Sequence, residues 1–271
     1  MTEIFNTFLV HPIINLLVII YQGFNYVHFP FALGFSIIIL TILIRLALYP
    51  LMGSQLKTSK KMQDIAPHLS KLKEKHKGDA KRLQAETMRL YKEHGVNPAA
   101  GCLPVLIQLP MIWALYSVLI KIVNLKPGAV VSEINGIIYF DVFKLSNPWD
   151  PNFFGLSLGQ NPSQIISTVG PIILLVPFIT GALQFIQSKM MAAKKPEAKT
   201  EEKKKDDFAS SFQTQTLYIF PVMIGFFSFT FPIGLSLYWN TFTFFGILQQ
   251  YQIAGLGGLT EWKQKLLKKK S

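Results

Sequence analysis

Few residues in this chain could do chemistry, and one of them sits where a charge is expensive. Arg45 lies inside Phe31 to Leu51, FALGFSIIILTILIRLALYPL, a twenty-one-residue apolar stretch whose other polar members are Ser36 and Thr41. At 1.5 Å per residue such a run spans the roughly 30 Å hydrocarbon core of a bilayer. An arginine deep in a membrane helix costs about 2.5–3.5 kcal/mol on insertion scales. Guanidinium cannot escape by losing its proton, since its pKa lies above about 12. The cost is tolerable only if Arg45 faces a wet cavity or a polar partner, so the chemistry to expect is attraction of something negative.

The other apolar stretches carry amides: Gln108, Gln184, Gln187 and Asn240, with Thr241 and Thr243 beside the last. Buried polar groups in a bilayer need partners or water, so these side chains are expected to share one interior with Arg45 or to bond neighbouring helices. No Asp or Glu falls inside any predicted span, which implies water near Arg45 or a negative group that comes and goes. Covalent catalysis has little to stand on. No phosphate-binding loop, no metal-ligand cluster and no Ser/His/Asp arrangement is present, and His11, His28, His68, His76 and His94 are scattered. The single cysteine, Cys102, can form no internal disulfide and fits no metal spacing. No cofactor is expected.

These residues must be positioned by membrane helices. Half of the residues are hydrophobic and only 15% are charged, concentrated into long uncharged runs, which defines an all-α polytopic membrane protein. Residues 1–29 read as an external interfacial amphipathic helix, with an extra transmembrane helix over 4–22 as the alternative: Phe5, Phe8, Leu9, Ile13, Leu16, Leu17 and Ile20 fall at helical spacing, with Thr7, His11, Asn15 and Gln22 on the other side. The start, MTEIFNTF, has no basic region and predicts neither a cleavable signal nor a transit peptide, and no lipobox-like cysteine lies near it. Span one is expected over 30–52, ended by Pro50 and Gly53. Residues 53–97 follow as a basic helical hairpin, with Met62, Ile65, Leu69 and Leu72 on one stripe and Leu83, Leu90 and Tyr91 on another. Lys75 to Asp79 forms its turn, and Asp79 suits a helix N-cap. Span two is expected over 101–123, a polar loop over 124–163, span three over 164–188 and a disordered linker over 189–213. The apolar run beyond it is broken at Phe231-Pro232-Ile233-Gly234 into span four, 214–232, and span five, 234–255. A basic tail, 256–271, closes the chain.

Charge orients this arrangement. Residues 57–94 hold eleven Lys/Arg against five acids, 189–213 holds seven lysines and the tail five, whereas 124–163 holds two and the first thirty residues none. The positive-inside rule makes the first three cytoplasmic. Five spans with the N-terminus outside and the C-terminus in the cytoplasm satisfy every segment at once. The net charge of +12 thereby reads as topology and anionic-lipid attraction rather than specific nucleic-acid binding.

Three stretches carry a family resemblance: FSIIILTILIRLALYPL, then NPAAGCLPVLIQLPMIWALY at 97–116, then FPIGLSLYWNTFTFFGILQQ at 231–250. They resemble the signature stretches of the YidC family of membrane protein insertases, as does the basic hairpin with its internal Pro67, over about residues 5–255. The chain is similar to the shorter, Gram-positive-like type, without the additional N-terminal span and large external domain of other members. The resemblance implies a bacterial plasma-membrane protein with a hydrophilic groove among five helices, open to cytoplasm and lipid and closed outside. Arg45 would be the groove's positive residue. Gln184 or Gln187, and Tyr238 or Trp239, would contribute to its walls. It further implies nascent membrane proteins as clients, with ribosome, targeting receptor and a Sec-type translocon received by the hairpin and tail. A small anion-binding transporter and a membrane assembly scaffold are the alternatives; the transporter would usually show an internal repeat, and no convincing one is found.

Overall fold

The computed structural model describes residues 2–76, 78–96, 103–124, 127–192 and 215–260, and these are helical nearly throughout. The motif residues 97–102, most of the 189–213 linker and the tail beyond 260 lie outside the described residues. The chain divides into two compact units, Met1–Ala47 with Pro104–Leu183 and Val222–Phe245, and Leu48–Leu103 with Gln184–Pro221 and Gly246–Ser271.

In the first unit, α1 (Thr2–Phe5) runs through a π-helical turn, Asn6–Val10, into α2 (His11–Tyr26). Val10, Ile14, Leu17, Val18 and Tyr21 of this helix are buried in the core, while Ile4, Phe8, Leu9 and Ile19 are exposed. Both sides are therefore apolar, and Glu3–Tyr26 is long and apolar enough to cross a membrane. Asn15 is not on an outward polar side, as its spacing suggested. It is buried, donating to the carbonyls of His11 and Ile137 (both 2.9 Å) and accepting from the Tyr139 amide (2.8 Å). The turn at 27–31 uses two left-handed residues, His28 (φ 53°) and Phe31 (φ 57°). It leads into α3 (Ala32–Ala47), which buries Leu33, Ile37 and Leu40 in the same core.

α6 (Leu103–Asn124), which follows two helices of the second unit, contributes Met111, Ala114, Leu115, Val118 and Leu119 to that core. The segment expected to be a polar loop is instead folded. It contains α7 (Pro127–Asn135), a 3-10 turn at Asp141–Phe143 and a two-residue antiparallel hairpin pairing β1 (Asn152–Phe153) with β2 (Leu156–Ser157). Its apolar residues Val130, Ile134, Leu145, Trp149 and Leu158 are buried; Val130 and Ile134 share one face of α7, and the other three are scattered among turns. Phe153 lies against α3 at Gly34, where a Cβ would collide with its ring. Phe31 stacks on Phe154 (ring centroids 4.6 Å apart) and Phe35 meets Phe153 edge-on (5.5 Å).

The expected third span begins later than its sequence suggests. α8 (Pro162–Val169) starts in a capping box built by Asn161 and Gln164 and ends at Gly170, whose φ of 85° suits glycine. A 3-10 turn, Pro171–Leu174, then enters α9 (Leu175–Met191), and Pro171–Met191 is the second stretch long and apolar enough to cross a membrane. A π-helical turn, Gln215–Ile219, leads into α10 (Phe220–Thr230), which meets α11 (Ile233–Ala254) at the predicted Phe231-Pro232 break. Gly225 brings α10 close to the backbone of Pro177 and Gly181 on α9. A chain of buried hydroxyls links the same elements: Thr180 to Ser228 (3.1 Å), and Ser228 to Ser236 (2.8 Å). The first amides of α11 are received by the folded loop, Ile233 N–H by the Gln160 carbonyl and Gly234 N–H by that of Leu158, both at 2.8 Å.

In the second unit, α4 (Tyr49–Lys75) begins immediately after α3, with Leu48 as N-cap and Pro50 in its first turn. Pro50 thus starts a helix rather than ending one, as suits a residue lacking the amide that the first turn leaves unbonded. Ala32–Ala47 and Tyr49–Leu72 pass the membrane-crossing test only when taken together. α5 (Ala80–Glu93) starts as expected at Asp79, whose carboxylate accepts from the Arg82 amide at 3.0 Å. Ile65, Tyr91 and Val96 form the hairpin's own small core, with Met62 and Leu69 packed against it. The last carbonyls of α9 are capped from elsewhere in this unit. Gln63 Nε2 donates to Met190 and Met191 (3.2 and 2.9 Å), and Gln250 Nε2 reaches Met190 at 3.5 Å.

Candidate functional site

Arg45 occupies the last turn of α3, where the helix dipole favours a cation. The other polar side chains of α3 satisfy themselves: Ser36 donates to the Ala32 carbonyl and Thr41 to that of Ile37, both at 2.6 Å. Arg45 reaches across to α11. Its Nε (3.1 Å) and Nη2 (2.8 Å) both donate to the carbonyl of Phe242, and its guanidinium carbon stands 3.8 Å from the centre of the Phe242 ring. The residue is only 6% exposed. Hydrogen bonds from a charged group contribute about 1.5–3 kcal/mol and a desolvated cation–π contact about 2 kcal/mol. Together they are comparable with the cost of placing arginine in a bilayer. The carbonyl and the ring of Phe242 are both neutral, and together they fix the guanidinium against α11.

Tyr238 is fully buried one turn before Phe242, its ring 6.0 Å from the Phe242 ring on which Arg45 stacks. Arg45 and Tyr238, 193 positions apart, are therefore brought together. Trp239 and Asn240 follow on the same helix and are half-buried. The Asn240 side-chain oxygen is shielded from solvent and has no hydrogen-bond partner among the described residues, a state that costs about 1–3 kcal/mol. Thr241 bonds back to the Leu237 carbonyl at 2.8 Å. Gln184, buried, and Gln187, half-buried, lie on the part of α9 that belongs to the second unit. Gln108 is on α6, and its side chain lies outside the described residues.

Sequence reasoning missed Phe242 and Asn15. A carbonyl acceptor leaves no mark in a sequence, although the four-residue step from Tyr238 places both rings on one helix face. Among the described residues no group of three or more His, Cys, Asp or Glu could hold a metal.

A nearly all-helical chain with apolar helices of membrane-crossing length, holding a buried arginine, is an integral membrane protein. The sequence profile of the 60Kd inner membrane protein matches residues 24–256. The chain is 35% identical over 224 residues to a membrane protein insertase YidC of Fusobacterium nucleatum, covering 83% of this chain and 87% of that one. It is 34% identical over 254 residues to the membrane protein insertase MisCA of Bacillus subtilis, covering 92% and 78% of the two chains. The inner membrane protein ALBINO3 of Arabidopsis thaliana chloroplasts is 34% identical over 253 residues, covering 89% of this chain and half of its own length. The chain belongs to the YidC family, that of the 60Kd inner membrane protein.

Proposed function

We propose that this protein is a membrane protein insertase that passes nascent integral membrane proteins into the bilayer without covalent chemistry. The observation that carries this reading is Arg45: a buried guanidinium at the end of an apolar helix, fixed by the Phe242 carbonyl and ring on α11. The relatives named as insertases support it.

Moving the charged tail of a client through hydrocarbon is prohibitively expensive unaided. A hydrophilic groove reaching partway into the bilayer shortens that dry path. In it Arg45 attracts client carboxylates, and attraction between unit charges 4 Å apart is about 4 kcal/mol at an effective dielectric near 20. Tyr238, Trp239 and Asn240 contribute to the wall. Gln184 or Gln187 supplies a further polar position. The client's apolar segment then leaves into lipid, driven by its own burial. Five spans, an outside N-terminus, a cytoplasmic C-terminus and a bacterial plasma-membrane location complete the reading. The basic hairpin and tail receive the ribosome, a targeting receptor, a Sec-type translocon and anionic lipid.

The test is reconstitution of the purified protein into liposomes without nucleotide, with a short client bearing an acidic external tail. Insertion should occur with wild-type protein and fall with Arg45→Ala. No insertion above empty liposomes would overturn the insertase reading. Equal insertion by wild type and Arg45→Ala would remove Arg45 from it.

A further inference from the structure

We infer that residues 139–142 form a wedge that dips into the membrane–water interface, and that Asn15 and Gln22 of α2 hold it there. The segment 136–144, GIIYFDVFK, is not a solvated loop by composition. At its tip Phe140 is 62% and Val142 80% exposed, and Tyr139 is exposed too, although the flanking Ile134 and Leu145 are buried. A protein surface in water does not ordinarily present three such side chains within four residues.

The segment is fixed along α1 and α2. The Asn15 side chain bonds the Ile137 carbonyl and the Tyr139 amide, completing two backbone groups much as a neighbouring strand would. Gln22 Nε2 donates to the Lys144 carbonyl at 3.1 Å. The Tyr139 hydroxyl lies 3.5 Å from the Thr7 carbonyl, beside Phe8, which is 73% exposed, and Leu9. The tip is thus continuous with the exposed apolar residues of Glu3–Tyr26, a stretch long and apolar enough to cross a membrane.

The occupant this surface fits is lipid. The only charges in the segment, Asp141 and Lys144, pair with each other at 2.6 Å, so no net charge opposes entry into the headgroup zone. Aromatic side chains with a polar tip favour that depth. The polar side chains of α2 therefore serve to aim the wedge.

A nitroxide at Val142→Cys, in a Cys102→Ser background, tests this in vesicles of phosphatidylethanolamine and phosphatidylglycerol. Dissolved oxygen should relax it more, and a water-soluble nickel chelate less, than a label at the exposed hairpin position Lys81→Cys. Asn15→Ala should shift the 142 label toward the nickel-accessible range, while Gln22→Ala should shift it less. Nickel accessibility at 142 equal to that at 81 would overturn the proposal. Shielding from both relaxants would also overturn it, since that marks a protein partner on the tip. An unchanged depth in Asn15→Ala would remove the aiming role.

Discussion

At the scale of residues, Arg45 is held through geometry that lysine can only partly reproduce. A lysine keeps the charge but offers neither the planar fork that gives two bonds to one carbonyl nor the same stacking on a ring. Arg45→Lys should therefore retain substantial insertion while lowering the thermal midpoint in detergent. Arg45→Ala should lose most insertion of clients with acidic external tails, and clients with uncharged tails should be less affected. Phe242→Leu separates holding from attracting. It removes the ring but keeps the carbonyl, so a loss of about 0.5–2 kcal/mol in stability with insertion largely preserved is expected. Insertion abolished in a Phe242→Leu protein of near-normal stability would instead give the ring a direct role. Asp141 offers a pH signature. Its carboxyl is held below the ordinary carboxylate range by the hydrogen bond and charge of Lys144. The contribution of this pair is fully present above its unfolded value of about 4 and is lost as pH falls through the lowered one. A label at 142 should therefore keep its depth between neutral pH and about pH 5. Movement within that window would exclude this pair as the controlling group.

At the scale of elements, two close approaches give direct tests. Gly34→Leu forces a side chain into the Phe153 ring and should cost about 1–3 kcal/mol, read as a fall in thermal midpoint. Gln63→Ala removes two hydrogen bonds from the end of α9, about 0.5–1.5 kcal/mol each, and should raise amide exchange near Met191 before it affects the rest of the second unit. An exchange pattern unchanged at Met191 would show that the cap contributes little. These elements also show what a sequence can disclose. Arg45 was conspicuous because charge in a hydrocarbon run has a known cost. Asp79 and the Phe231-Pro232 break were legible because capping and proline chemistry are local. Phe242 was hidden because its contribution comes through a backbone atom and a ring in an aromatic-rich helix. The 124–163 segment was misread because its one helical pair, Val130 and Ile134, is short and its other buried residues are separated by turns. Pro50 was misplaced because proline suits a first turn as well as a stop, and only the break at Leu48 distinguishes them.

At the scale of the whole molecule, the net charge of +12 is carried chiefly by segments read as cytoplasmic. If charge dominates their binding to vesicles of anionic lipid or to ribosomes, affinity should fall steeply as salt shortens the Debye length from about 10 Å at 0.1 M to 3 Å at 1 M. Binding insensitive to salt would point to an apolar or shape-based surface instead. The carbonyls of Leu158 and Gln160 that receive the start of α11 have a separate consequence, for how the protein is made. Translation at roughly 5–20 residues per second delivers the receiving loop seconds before the helix that docks on it. The loop can then act as a template, and the helix that steadies Arg45 is seated last. Nascent chains arrested before Phe231 should already protect residues 152–160 from protease, and digestion there as fast as in an unfolded chain would refute that order. A protein proposed to assist the biogenesis of others would thus complete its own arginine site only after α11 has emerged.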